Sequence, residues 1–343
     1  MKPNNSSAGS SRPLVSVIIL NWNQPDYTVA CVKSVLTQQL SAGEFEVFLV
    51  DNGSNDDSYL RFKKEFGSNK KITIIETGKN LGYTGGNNIA AKQTRGKYIV
   101  ILNNDTEVEP GWLEALVRVI QSDEKIGAVN SYEIRAGKKV PLETYAAYEF
   151  PLNVLQYGVK VLRKKKLDVK KLKKGMPVEV SAIKGCSFIY RKELAPVPFD
   201  DDYFIYAEET KLSWLLRSRG YKIMLAPTSI VNHYHNVVRK SNKEFSKFAV
   251  YLGERNRLMN LLTFYQWGTT LKMLPLFKLQ SLASNIIQWR KIPYRFKAYW
   301  YIMTHLKMVW KKRKEIQSAR SVPDKALLEH AWRLYPRAAA EFD

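Results

Sequence analysis

The sequence predicts an α/β sandwich on a mostly parallel central sheet, followed by a helical, basic C-terminal region. Three observations carry this. Short apolar, β-branched runs (VSVIIL, FEVFLV, ITIIE, YIVIL) recur without polar alternation; segments of helical spacing separate them; and beyond about residue 240 the chain changes to long helical patterns rich in aromatic and basic residues. Unbroken apolar runs are how strands covered on both faces read, and strands alternating with helices imply crossover connections.

Residues 14–20, LVSVIIL, form the first such strand. NWNQPDY breaks it, and YTVACVKSVLTQQ sets Val29, Val32, Val35 and Leu36 at helical spacing. EFEVFLV is a second strand ending on DNGSNDDS, YLRFKKEF a helix and KITIIE a third strand. GKNLGYTGGNN reads as a Gly/Asn loop opening the helix NIAAKQTRG, which Gly96 closes; KYIVILNND is a fourth strand. After Pro110-Gly111 come the helix WLEALVRVIQ, the strand GAVNSYEI, a poorly patterned stretch over 136–180, and strand character again in VSAIKGCSFIYRKEL. FDDDYFIYAEETKLSWLLRSRG is a loop running into a helix stopped by Gly220, and YKIMLAP a strand ended by Pro227. The expected divisions are a disordered tail over 1–12, an α/β domain over 13–240 and a helical basic region over 241–343.

With 343 residues, 45% apolar and 25% charged, the chain can bury a full core and is not compositionally disordered. Its formal charge of +22 is uneven: residues 14–150 hold 15 Lys+Arg against 17 Asp+Glu, residues 151–343 hold 37 against 15. Such a cationic half attracts phosphate, on nucleic acid, lipid or substrate alike. KVLRKKKLDVKKLKK, residues 160–174, concentrates nine basic residues with one acid. Two cysteines, Cys31 and Cys186, exclude a disulfide framework and suit a reduced, cytoplasmic compartment. The polar start MKPNNSSAGSSRP does not read as a signal peptide, and LKMLPLFKLQSLASNIIQW reads as too interrupted to span a membrane.

In parallel α/β sheets a ligand sits at the strands' carboxyl ends. Here those ends are polar clusters: Asn21-Trp22-Asn23, Asp51-Asn52-Gly53-Ser54, Gly78-Lys79-Asn80 and Asn103-Asn104-Asp105. Asp51 suits hydrogen bonds from a base or ribose, or an Asx-turn cap. Three glycines, Gly82, Gly85 and Gly86, suggest close approach of backbone to ligand, or an ordinary turn. Asp105 could ligate a cation or cap the following helix.

The series VSVIILNWN, VDNGSNDDS, NLGYTGGNN, LNNDTEVEPGWL, KGCSFIYRKEL, FDDDYFIYAEETKLSWLLRSRGY, APTSIVNHYHN and YLGERNRLMN resembles family 2 glycosyltransferases of the GT-A fold, over roughly Pro13 to Arg257. It looks most like the rhamnosyltransferase-like branch of bacterial cell-surface polysaccharide synthesis. The resemblance implies an inverting, metal-assisted transfer of sugar from a nucleoside diphosphate sugar to a hydroxyl of a glycan or lipid-linked glycan, by single displacement. It assigns Asn21, Asn23, Asp51, Asn80, Gly82, Asn87, Asn103, Asn104, Asp105 and Arg255 to the donor. Asn103-Asn104-Asp105 stands at the family's DxD motif with its first acid replaced by an amide, leaving Asp105, with His233 six residues after Pro227, to hold Mg²⁺ or Mn²⁺. His235 could face the same side. In YAEETKLSW, Glu209 takes the place of the catalytic base, and Glu208, Lys184 and Gly185 fall on the acceptor side. At a helix N-terminus, Glu209 is expected to be ionised at neutral pH.

IPYRFKAYWYIMTHLKMVWKKRKEIQ interleaves aromatic and basic residues at helical spacing, which suits either a helix lying in an anionic lipid interface or one packed on the α/β domain. The lipid reading implies a peripheral position at the inner face of the plasma membrane. Nucleic acid is not expected as a partner, since no RRM, KH, zinc or helix-turn-helix signature is present. A nucleotidyltransferase would want a Gly-rich loop with Lys or Arg after the first strand, which NWNQPDY does not offer. An inactive scaffold is the remaining alternative, kept open by Asn103 and by Glu, rather than Asp, at position 209.

Overall fold

The structure, a computed structural model, describes residues 12–135, 138–139, 159–163, 171, 174–180, 182–234, 243–287, 289–324 and 332–336. Most of the expected N-terminal tail, much of the basic run 160–174, His235 and the expected domain boundary near 240 lie outside them.

The first half alternates as its sequence predicts: β1 (Val15–Asn21), α1 (Pro25–Leu36), β2 (Phe45–Asp51), α2 (Ser58–Phe66), β3 (Ile72–Glu76), α3 (Gly82–Gln93), β4 (Tyr98–Asn103), β5 (Thr106–Val108), α4 (Trp112–Gln121) and β6 (Ile126–Arg135). The short β7 (Lys138–Lys139) and β8 (Val159–Arg163) follow, then β9 (Val178–Val180), β10 (Ser187–Arg191), α5 (Glu208–Ser218) and β11 (Lys222–His233). Four helices come next, α6 (Lys243–Phe264), α7 (Trp267–Ile287), α8 (Ile292–Thr304) and α9 (Leu306–Ser318), and finally β12 (Trp332–Pro336), which pairs with β8.

The main sheet runs β3-β2-β1-β4-β10-β6-β11-β5. The pairings β3-β2, β2-β1, β1-β4 and β6-β11 are parallel; β10 is inserted antiparallel between β4 and β6. Both faces are covered, which is why the strands do not alternate. Val15, Val17 and Ile19 pack with α1, α2 and α4, whereas Ile18 on the opposite pleat packs with Ala90 and Ala91 of α3 and Leu212 and Leu216 of α5. A third cluster joins Tyr203 and Trp214 to Leu258, Met259, Leu261 and Phe264 of α6, Ile302 of α8 and Val309 and Ile316 of α9. The basic helices therefore pack on the α/β domain through one face.

Two elements depart from expectation. The Gly/Asn loop is largely helix, since α3 starts at Gly82 and includes Gly85 and Gly86. β11 does not end at Pro227: the pairing with β6 shifts register between Ala226 and Ile230, and the proline, which has no N–H to give, falls in that irregularity.

Candidate active site

Parallel register lines up the polar strand ends. Asn21 stands opposite Asp51, and Leu20 opposite Asn103, so three predicted residues share one rim of the sheet. Asn21 Nδ2 donates to Asp51 Oδ1 (2.9 Å) and Ser54 Oγ (3.0 Å), while its Oδ1 accepts from Thr28. Asp51, 2% exposed, also accepts from the backbone N–H of Ser54, three residues on, and does not cap α2, whose N-cap is Asp57. Asn23, at φ 55°, accepts from the N–H of Asn55, and Asn104 Nδ2 donates to Thr28 Oγ1. Asn80 Oδ1 takes the Gly82 N–H, and Asn87 Nδ2 donates to the carbonyl of Tyr83. The predicted donor-side residues of β1, β2 and α3 thus form a hydrogen-bonded rim fixed before any ligand arrives.

Gly82 needs glycine for a different reason from the one expected. Its φ is +74°, and a Cβ there would lie 2.5 Å from the Phe204 carbonyl oxygen. Gly86 is likewise packed against Leu20. At both positions it is neighbouring protein that leaves no room for a Cβ.

β4 ends at Asn103, the chain turns through Asn104 and Asp105, and β5 returns antiparallel to β11 with Thr106 opposite His233. That return brings Asp105 Oδ1 to 3.2 Å from His233 Nε2. Asp105 does not cap α4, whose N-cap is Gly111 in the left-handed region. The other imidazole nitrogen, Nδ1, lies 2.7 Å from Glu133 Oε1. Glu133 is fully buried on β6 and also meets Arg135 Nε at 2.7 Å and Lys184 Nζ at 2.5 Å. Burial disfavours its charge, but His233, Arg135 and Lys184 outweigh this and hold its carboxyl well below the usual carboxylate range. For His233, burial disfavours the imidazolium, yet Asp105, Cys186 and Glu133 outweigh it and raise the pKa to about 11.

This donor set fits a divalent cation: a carboxylate facing an imidazole whose other nitrogen is held by a second carboxylate, the arrangement that orients metal-ligating histidines. Ligand atoms of Glu133, Cys186 and His233 lie within 4.8 Å of one another. A cation bound here competes with the proton on His233.

A cavity of about 240 Å³ opens beside this cluster, lined by Asn103, Glu133, Arg135, Lys184, Gly185, Cys186, Glu209 and His233 among others. The structure therefore brings together Asn103, Lys184, Gly185, Glu209 and His233, predicted from four separate segments. Glu209 lies so close over Gly185 that a Cβ at 185 would fall 1.8 Å from Oε1, which accounts for glycine there. Burial raises the Glu209 pKa to about 7, against the ionised state expected from its helix N-terminus; loss of solvent outweighs the helix dipole. Glu208, buried beside it, does not line the cavity.

Arg255, assigned to the donor by the resemblance, is engaged by protein groups. It is 6% exposed, its guanidinium donates to the carbonyls of Asp202 and Tyr203, and it lies over the rings of Tyr251 and Tyr301. Asn256 Nδ2 meets the carbonyls of Tyr203, Ile205 and Tyr206 at 2.8–3.0 Å, and Asn260 Nδ2 that of Ala207. The turn so clamped holds Phe204, Tyr206 and Ala207 at positive φ, strained for non-glycine residues, directly before α5 and Glu209. The ERNRLMN segment thus sets the turn that aims Glu209. Sequence reasoning missed this and missed Glu133, whose signal was a lone acid inside the apolar run GAVNSYEI.

The sequence profile of Glycosyl transferase family 2 matches residues 16–195. The O-antigen biosynthesis protein RfbC of Myxococcus xanthus is 35% identical over 118 residues, 34% of this chain and 9% of that protein. The chain spans well under half the length of the curated relatives it matches. Among solved structures, TarS residues 1–349 of S. aureus in complex with UDP-GlcNAc superposes with TM-score 0.55 at 16% identity, covering 83% of this chain and 79% of that one. The mannosyltransferase PcManGT of Pyrobaculum calidifontis, in complex with GDP-Man and Mn²⁺, gives TM-score 0.51 at 14% identity, covering 94% and 86%. At these identities the likeness is one of fold.

Proposed function

The chain belongs to glycosyl transferase family 2, and from that premise we propose that it moves a sugar from a nucleoside diphosphate sugar to an acceptor hydroxyl with inversion at the anomeric carbon. The observation that carries this is Glu209, a carboxyl whose pKa burial raises to about 7, in the cavity that also holds Asn103, Lys184 and His233. A base poised at working pH takes the hydroxyl proton as the oxygen attacks, and the bond from anomeric carbon to diphosphate breaks on the opposite side. No second nucleophile is needed for this single displacement.

Asn21, Asp51 and Asn80 on the preformed rim are the candidates for the nucleoside. Asp105 and His233 are the residues that would hold Mg²⁺ or Mn²⁺, whose charge offsets that of the departing diphosphate. Lys184 and Arg135, which line the same cavity, add fixed positive charge for that leaving group. The donor class is supported by the nucleotide sugars bound to the fold's solved neighbours. The acceptor we read as a glycan or lipid-linked glycan of a cell-surface polysaccharide, in line with the RfbC likeness, met at the inner face of the membrane. Screening nucleoside diphosphate sugars for Mn²⁺-dependent thermal stabilisation tests the reading, since a ligand of the folded state must raise Tm. A complete panel without any metal-dependent shift would overturn it.

A further inference from the structure

α8 and α9 have two opposed faces. Arg295, Ala298 and Ile302 of α8, with Val309, Arg313 and Ile316 of α9, are buried, and both helices pack on α6. The outward face is also apolar. Ile292, Phe296, Trp300 and Met303 follow one another at helical spacing along one side of α8, and Leu306 and Trp310 continue onto α9. Phe296, Trp300 and Met303 are 66%, 63% and 64% exposed, and Trp289 just before them 65%. Trp310 stacks on Trp267 of α7, itself half-exposed. A contiguous exposed face of large apolar side chains marks an interaction site.

Its charge selects the occupant. No acid occurs between Trp289 and Lys314, whereas Arg290, Lys297, Lys307, Lys311 and Lys314 are exposed there. A second copy of so basic a face would be repelled, and nucleic acid would leave Ile292, Met303 and Leu306 without a use. Among the described residues no helix is long and apolar enough to cross a membrane. We propose that this face seats on an anionic phospholipid surface, its rings in the boundary between headgroups and acyl chains and its ammonium and guanidinium groups on the phosphates.

The seat is tied to the candidate base. Lys312 of α9 reaches Asp200 (2.5 Å) and Asp202 (2.7 Å), and Asp200 also pairs with Lys211, two residues beyond Glu209 on α5. A docked α9 therefore holds the cavity at a fixed position relative to the lipid. The surface lies apart from the cavity, so the inference stands or falls independently of the transfer reaction.

The test is flotation of the full chain with phosphatidylglycerol-containing vesicles, with pure phosphatidylcholine vesicles, and with a single-stranded RNA oligonucleotide as competitor. Wild type should float with the anionic vesicles and be released by high salt. The triple substitution Phe296→Ser, Trp300→Ser, Met303→Ser should weaken partitioning at least about ten-fold by removing inserted apolar area. Lys297→Glu with Lys307→Glu should do the same, each position contributing its phosphate attraction. Because all five side chains are exposed, Tm should hold in both variants. Equal flotation with neutral vesicles, undiminished binding by the triple variant, RNA binding without lipid binding, or a concentration-dependent dimer that the triple variant abolishes would each overturn the proposal.

Discussion

The imidazole of His233 lies between two carboxylates, Nδ1 at 2.7 Å from Glu133 and Nε2 at 3.2 Å from Asp105. If Asp105 and His233 hold a cation, Glu133 acts behind the histidine as a positioning residue. Glu133→Gln should keep the fold and weaken Mn²⁺ affinity about 10- to 100-fold, read by titration calorimetry in the presence of a nucleoside diphosphate. Unchanged affinity would leave Glu133 a purely structural ion. Glu133→Ala is a harsher change: it removes the fully buried carboxylate that meets His233, Lys184 and Arg135, and should destabilise the fold by about 3–5 kcal/mol.

Asp105→Ala removes the carboxylate at the β4–β5 turn without touching a helix cap. Metal-dependent transfer should be lost while the circular dichroism spectrum and the cooperative melt persist. Full activity in this variant would remove the cation reading of the turn.

Glu209→Gln should leave donor affinity near wild type and lower kcat by roughly two to four orders of magnitude. In the wild type, kcat should rise with pH through a midpoint near 7, following ionisation of this carboxyl. A profile flat from pH 5 to 9 would move the base elsewhere.

The same ionisation shapes stability. The folded Glu209 pKa, about 7, lies above its ordinary value of 4.5, so its contribution is fully present below pH 4.5 and lost as pH rises through 7. Glu209→Gln should therefore stabilise the protein by about 3 kcal/mol at pH 8 and leave it unchanged near pH 4, as measured by urea melts.

Asn256→Ala releases the strained turn over 203–207. Loss of its buried hydrogen bonds should cost about 1–3 kcal/mol. If the turn aims Glu209, kcat should fall more than KM rises; a stability loss with unaltered kinetics would confine Asn256 to the fold.

Much of this was legible along the chain because the relevant interactions are local or periodic. Two-sided burial gave β1, β2 and β4 their unbroken apolar runs, and the polar residue ending each run announced the rim, since parallel strands end on the same side. Asp105 was legible for the same reason. Glu133, on the other side of His233, was not, because a lone acid in a strand gains meaning only from what lies across the sheet. The need for glycine at Gly82 and Gly86 was hidden in the same way, since it is set by Phe204 and Leu20, distant in sequence.

What the sequence alone determined was the alternation of elements, the polar rim at their ends and the basic, aromatic character of the last helices, all consequences of hydrophobic period and composition. Only the tertiary structure decided that β5 folds back on β11 to set Asp105 against His233, that Arg255 holds the turn at Asp202 and Tyr203, and which face of α8 looks outward. Those outcomes depend on long-range pairing and burial. The free energy of an ionisable side chain is fixed by the groups packed around it, and a linear chain does not record those neighbours.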